Sequence, residues 1–438
     1  MKDVFELSSF IEDLINENEN IELARTILNA YEDRIKTVEE HEIVSELCKK
    51  IDHHSLRLKC LKYAYTHCIN SEKLSAYRYE MAKTFLLLNE PEKSLFYNDI
   101  DYKNDNTNFY TLIERVKFLN ALGKTEEADL LLEEMSPSNK EEKIHLNVEI
   151  GKKQLRNGDL DIGVKNILMR ERSQYSGLIP YEFWTGIKRP GKNIIVHGRG
   201  NVGDQFSNLR FFKQLKELGM NPIFYSAYIK KRPDLIKIYR RHGVESVDSE
   251  KLFDSDYLWV NLSALPSFFQ LEEETLWDGS YLTAIKDEKN KLEESSKLKI
   301  GIKLNSDSDK NDRRKQIPIG AFFGSLPEAT VYNFDSQAYT DAINLREKIT
   351  SWDDTLDYID QMDVIISCDT SLVHAAGAMG KKTILLCPLD PSYTWVSNRT
   401  DGTTPWYGPN FRILKQVKLR EWFEPLQQIK PTIEELMK

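Results

Sequence analysis

The sequence changes its grammar near residue 181, and that change constrains the architecture more than any single motif. Residues 3 to about 174 show repeated amphipathic helical patterns between short polar corners, with almost no strand-like run before Ile194. Beyond Tyr181, short apolar runs alternate with helical stretches, the pattern of mostly parallel sheets with ligands at their strand carboxyl ends. With 438 residues, 40% of them apolar, the chain can bury several cores. The expected class is α + α/β: a helical repeat domain followed by two Rossmann-like domains.

In the helical part, Phe10 and Leu14 of the first helix and Leu112, Val116 and Leu119 of a later one are predicted to face a core. The corners Leu88-Asn89-Glu90, Leu122-Gly123-Lys124 and Asn157-Gly158-Asp159 recur at spacings of 34 and 35 residues. That period suits paired helices stacked into a solenoid. Two readings stay open: a concave surface holding an acceptor, a partner protein or a second copy, and a scaffold covering an apolar edge. Aromatics such as Tyr63, Tyr65, Tyr77, Tyr79, Tyr97, Tyr102, Phe109 and Tyr110 could serve recognition or pack helix contacts.

The first strand, Asn193 to His197, runs into Gly198-Arg199-Gly200-Asn201-Val202-Gly203-Asp204, with a helix predicted from Gln205 to Leu218. No Gly-Lys-Ser/Thr follows, so this is not a P-loop, and the stretch is read as lacking the dinucleotide G-x-G-x-x-G, yet its glycines allow a tight turn and close ligand approach. Asp204 reads either as a helix cap or as a base at a cleft. Later strands are expected at 222–225, 257–260, Leu298–Lys303, 330–334, 364–367 and 382–386, residues 285–297 are predicted to form a charged helical connection, and Leu414 to Leu436 are expected to cross back as helices. Residues 305–317 read as a polar loop at a cleft mouth.

The run from Ile365 to Gly380 reads as a buried strand followed at once by a helix of small residues, with only Asp369, Thr370 and Ser371 between them. The first free N–H groups of such a helix favour negative charge. Val373, three residues after Thr370, supplies no capping-box carboxylate. An anion site and an ordinary strand-to-helix corner are both compatible with this run. Asp353-Asp354 reads as a helix start rather than a cation cage.

The formal charge of −9 argues against wrapping a nucleic acid. Five cysteines, at 48, 60, 68, 368 and 387, form no CxxC pair and point to reduced thiols, hence to a cytoplasmic location. No apolar stretch of about 18 residues occurs, so neither a membrane span nor a secretion signal is expected.

Gly203-Asp204, Gly301-Ile302-Lys303 and Asp369-Thr370-Ser371-x-x-His374-x-x-Gly377-x-x-Gly380, with the flanking stretches 357–367 and 380–384, resemble glycosyltransferases of the GT-B fold. The resemblance is to the heptosyltransferase-like group, glycosyltransferase family 9, and covers about residues 181–425. It implies a tetratricopeptide-like helical domain at 1–175, an acceptor-side domain at 181–284, a nucleotide-sugar domain at 298–425 and a C-terminal helix at 426–438. The implied activity is inverting transfer of a sugar from a nucleotide-diphosphate sugar to a glycan, protein or small-molecule acceptor. In that scheme Asp204 deprotonates the acceptor. Asp369, Thr370, Ser371 and His374 surround the diphosphate, and Lys303, Arg313 and Arg314 offset its charge. His197 and Arg199 contact ligand from the opposite wall, Trp395 or Trp406 stacks on it, and Arg399 and Arg412 are secondary phosphate contacts. No metal or other cofactor is implied, the nucleotide sugar being a substrate. The repeats would hold a protein partner or a second copy. The rival expectation is a noncatalytic scaffold or sugar-nucleotide sensor.

Overall fold

The structure is a computed structural model that describes residues 4–16, 20–169, 181–198, 202–226, 233–247, 257–306, 314 and 316–438. The chain forms two compact units, the first running to Ser138 and including Arg314, the second beginning at Asn139.

The first unit contains helices α1 (Val4–Asn16), α2 (Ile21–Tyr31), α3 (Val38–Lys50), α4 (His54–His67), α5 (Ser71–Leu87), α6 (Pro91–Asn104), α7 (Phe109–Ala121) and α8 (Thr125–Glu134). Local signals set several of their starts: Thr37 and Glu40 form a capping box on α3, and Pro91 opens α6. The inward stripe of α1 is Val4, Leu7, Ile11 and Leu14. Phe10, expected in that stripe, is 41% exposed, because the helix turns its i, i+3, i+7 face rather than Phe10 to the core. The aromatics divide between the two roles left open: Tyr97 stacks on Phe85 and meets Tyr65 edge-on, whereas Tyr79 and Tyr110 line a cavity of about 360 Å³ between α5, α6 and α7.

The second unit starts with another helix pair, α9 (Lys140–Asn157) and α10 (Leu160–Ile167). The periodic corners are left-handed backbone: Asn89, Gly123 and Gly158 have φ of 58°, 75° and 93° and separate α5 from α6, α7 from α8 and α9 from α10. Asp52, with φ of 53°, does the same between α3 and α4. The recurring Gly or Asn is therefore a conformational requirement of each helix pair.

Two all-parallel sheets follow. The first contains β1 (Glu182–Phe183), β2 (Asn193–His197), β3 (Asn221–Tyr225), β4 (Glu245–Val247) and β5 (Leu258–Asn261) in the order β1-β5-β2-β3-β4. Its helices are α11 (Val202–Asn208), α12 (Phe211–Glu217) and α13 (Pro233–Arg241), so the single helix expected from Gln205 to Leu218 is two short ones. The second contains β6 (Leu298–Lys303), β7 (Ala329–Asn333), β8 (Ile343–Asn344), β9 (Val364–Cys368), β10 (Thr383–Cys387) and β11 (Phe411–Lys415) in the order β11-β10-β9-β6-β7-β8. Helices α14 (Ile319–Gly324), α15 (Trp352–Asp360), α16 (Ser371–Ala378), α17 (Phe423–Gln427) and α18 (Ile429–Leu436) cover it.

Strands β9 and β10 are buried along their whole lengths, as central parallel strands covered on both faces must be. Their period-2 alternation divides the core. Ile300, Ile302, Val364, Ile366, Ile384 and Leu386 face Phe322, Trp422, Leu426, Ile429 and Ile433. Ile365 and Leu385 face the other way, into a core shared with α15, α16 and the helix-covered face of the first sheet.

Two local expectations yield to tertiary contacts. Residues 285–297 contain only a 3-10 turn at Glu288–Asn290. The Asp357 carboxylate of α15 accepts the backbone N–H groups of Ile285, Lys286 and Asp287 at 2.9, 2.7 and 2.9 Å and holds a turn in which Lys286 has φ of 62°, outside helical backbone. Helix was also expected from Leu414 onward, but residues up to Lys415 complete edge strand β11, and helix resumes at Phe423.

Candidate functional site

In the second sheet the chain runs from β6 outward to β7 and β8, then returns to β9 on the other side of β6. The carboxyl ends of β6 and β9 thus flank a topological switch point, where open α/β sheets hold ligands. Lys303 pairs in register with Ser367 there, and Asp369, Thr370 and the start of α16 follow directly. The first sheet repeats the device: β2 lies between β3 and β5, and His197 pairs with Asn261.

The two switch points meet through α11 and α16. The Gly203 N–H donates to Ser371 Oγ at 3.2 Å. A Cβ on Gly203 would lie 2.9 Å from His374 Cδ2 and 3.1 Å from Ser371 Cα, so only glycine permits this approach. Asp204, the next residue, is exposed in the first turn of α11. Gly198, Gly200 and Gly203 do have the G-x-G-x-x-G spacing between a strand and a helix, which corrects the reading of this stretch as lacking it.

Thr370 is the N-cap residue of α16 but makes no side-chain capping bond; its hydroxyl lies 3.0 Å from Ser367 Oγ. The contrast with α15 is direct, since Ser351 and Asp354 there form a complete capping box, the helix start that Asp353-Asp354 led one to expect. An N-terminus without a side-chain cap keeps its amide dipoles available to an anion.

His374 is buried one turn into α16. Its Nδ1 lies 2.8 Å from the Tyr407 hydroxyl, its Nε2 lies 3.7 Å from Asp369 Oδ1, and its ring stacks on Trp395 at 5.1 Å. Trp395 in turn stacks on Phe411, and its buried indole N–H has no acceptor among the described residues. Tyr407 packs so closely under α16 that a Cβ on Gly377 would meet its ring at 2.6 Å. Burial pushes the Tyr407 phenol well above its ordinary value, so the hydroxyl keeps its proton.

Arg210, after α11, has a role that sequence reasoning missed. Its guanidinium donates to the carbonyls of Ser207 (3.0 Å), Leu276 (3.1 Å) and Trp406 (2.5 Å) and to the Tyr281 hydroxyl (2.7 Å). It also lies 5.1 Å from the Tyr407 ring centre. One cation thereby links the first sheet's helices to the segment beneath α16.

Lys303 is buried at the end of β6, with Nζ 3.3 Å from Asp335 Oδ1. Asp335 is fully buried and also accepts from the Leu304 and Asn305 amides (2.8 and 3.1 Å) and the Tyr339 hydroxyl (2.9 Å). It shapes the loop after β6, and its place after the 330–334 strand was its only sequence signal. His197 ends β2 and stacks on Tyr225. Arg399 pairs with Glu273, Arg412 pairs with Glu435, and Trp406 is buried near Arg210. Arg314 groups with the first compact unit, and Arg199 and Arg313 lie outside the described residues. Among the described residues, no group of three or more His, Cys, Asp and Glu could hold a metal ion, and no helix is long and apolar enough to cross a membrane.

No protein-family model and no curated protein matches the sequence. Among solved structures, the chain is similar to a family 9 glycosyl transferase from Veillonella parvula at 13% identity and a TM-score of 0.40, over 57% of this chain and 96% of that one. It is also similar to a mutant O-GlcNAc transferase from Thermobaculum terrenum at 11% identity and a TM-score of 0.39, over 99% of this chain and 91% of that one. In this chain, helices are followed by two all-parallel sheets, each covered by helices as in Rossmann-like domains.

Proposed function

We propose that the protein transfers a sugar from a nucleotide-diphosphate sugar to a hydroxyl group on a glycan, protein or small-molecule acceptor, inverting the anomeric centre. The observation that carries this reading is the contact of Gly203 with Ser371, which sets Asp204 one residue from the start of α16. A carboxylate and an anion-favouring helix start, each at a switch point, suit a reaction that removes a proton at one end and releases negative charge at the other.

In this scheme the donor diphosphate lies against the first turn of α16, near Thr370, Ser371 and His374. The acceptor oxygen attacks the anomeric carbon while Asp204 takes its proton, and the bond to the diphosphate oxygen breaks. The amides of α16 and the His374 side chain hold the developing charge, a contribution of about 3 kcal/mol per well-placed donor in comparable sites. Lys303 acts with Asp335 as a unit that shapes the loop after β6 and leaves a partly compensated positive charge at the crevice. The proposal assigns no metal and no covalent sugar-enzyme intermediate.

The test is donor-dependent product formation, followed by mass spectrometry across acceptor mixtures. Asp204→Asn is expected to lower transfer by about 10²-fold or more, the range for a general base, while donor affinity stays near that of the parent. Full turnover in that variant would remove Asp204 from the mechanism. Donor binding without transfer to any acceptor would favour the sensor reading.

A further inference from the structure

We propose that Tyr407 is a positioning residue that fixes the tautomer of His374, so that Nε2 of the imidazole carries the proton and serves as the donor at the start of α16. The proposal rests on the reading of this crevice as a diphosphate site, and extends it to a residue 33 positions away.

A neutral imidazole has one N–H and one lone pair, so its two neighbours decide which nitrogen holds the proton. At Nε2 the neighbour is Asp369 Oδ1, 3.7 Å away. That spacing is longer than a hydrogen bond, so the carboxylate acts through its negative charge, which favours a proton on the nitrogen that faces it. Nδ1 is then an acceptor, and the group 2.8 Å from it is the Tyr407 hydroxyl, which must donate. The Ser207 and Tyr281 hydroxyls also neighbour the Tyr407 hydroxyl, and they can donate to its oxygen while its own proton goes to Nδ1. The Tyr407 phenol is deeply buried and protonated, and the Arg210 guanidinium lies 5.1 Å from its ring centre, where positive charge makes the hydroxyl a better donor. Arg210 bonds carbonyls and a hydroxyl among the described residues, so no carboxylate at that side chain cancels its effect. Trp395 stacked on His374, and Gly377 pressed against Tyr407, hold both rings in place. The line Arg210, Tyr407, His374, Asp369 thus runs from the junction under α16 to the carboxylate at the end of β9.

The experiment is a two-bond proton–nitrogen correlation spectrum of the full chain labelled with ¹⁵N-histidine, recorded at about pH 8, where an ordinary imidazole is neutral. His374→Gln identifies the His374 signals. The expected spectrum shows a single tautomer protonated at Nε2. Tyr407→Phe keeps the ring that packs against Gly377 and removes only the hydroxyl. It should shift the tautomer ratio by about fivefold to tenfold, as loss of one buried hydrogen bond does. A parent His374 protonated at Nδ1 or averaged between tautomers overturns the proposal. So does a Tyr407→Phe spectrum identical to the parent's, which would leave Tyr407 as packing alone. In a second arm, titration with UDP, GDP and ADP should show weaker binding in Tyr407→Phe by a similar factor for whichever diphosphate the parent binds. Should the parent bind none of them, the glycosyl-transfer reading fails, and the spectrum still decides the role of Tyr407.

Discussion

Gly203 and Ser371 touch across a sequence separation of 168 residues, the amide of one donating to the hydroxyl oxygen of the other at 3.2 Å. This contact joins the first turn after β2 to the first turn after β9. It leaves room for no side chain at position 203, where a Cβ would fall 2.9 Å from His374 and 3.1 Å from Ser371.

Gly203→Ala is therefore expected to force α11 and α16 apart, lowering stability by about 1–3 kcal/mol and disturbing the crevice. Gly320→Ala is the matched control: a Cβ there meets nothing within 4 Å, and alanine favours helix by up to about 1 kcal/mol. Denaturant midpoints of the two variants should move in opposite directions. Equal shifts would remove the steric argument.

The Lys303–Asp335 pair should respond asymmetrically to mutation. Asp335→Ala strands a buried ammonium and the amides of Leu304 and Asn305, a loss of about 3–5 kcal/mol. Lys303→Met leaves Asp335 with its amide and Tyr339 donors and should unfold less readily, while lowering affinity for a nucleotide diphosphate. Calorimetric melting of both variants checks the order, and a more damaging Lys303→Met would reverse it.

Asp354 should contribute to an acid-sensitive part of the stability. Its burial alone would raise the carboxyl pKa, but bonds from Lys289, Asn290 and Thr350 outweigh it and hold the group well below the usual carboxylate range. A folded pKa below the unfolded one stabilises fully above the unfolded value of about 4, and that contribution is lost as pH falls toward the folded value. Urea midpoints of the parent should therefore fall below about pH 4, and those of Asp354→Asn should fall less. Parallel pH profiles would contradict this.

The helix pairs, both sheets and the start of α16 were legible because they rest on local signals: a 34- to 35-residue corner period, apolar runs, and small residues after a strand. The polar groups that organise the crevice were not. Asp335 meets Lys303 across 32 residues, and Arg210 meets the Trp406 carbonyl across 196. Such buried polar contacts leave no periodic trace in a sequence. The segment 285–297 shows the converse, a run with helical composition broken by a left-handed turn at Lys286 that the carboxylate of Asp357 holds.

Asp204→Asn separates a base from a structural cap. As a base, Asp204 is needed for transfer and not for donor affinity, so the variant should melt within a few degrees of the parent and bind donor with about the parent's dissociation constant. A large fall in melting temperature would instead mark Asp204 as a residue that holds α11 together.

The most direct test of this reading is calorimetric titration of the folded 438-residue chain with UDP-, GDP-, ADP- and CMP-sugars, with the free nucleotides as controls. A nucleotide-diphosphate site at α16 predicts selective binding of one diphosphate donor class and little response to the monophosphate CMP-sugar. Absence of binding across the whole panel would contradict it.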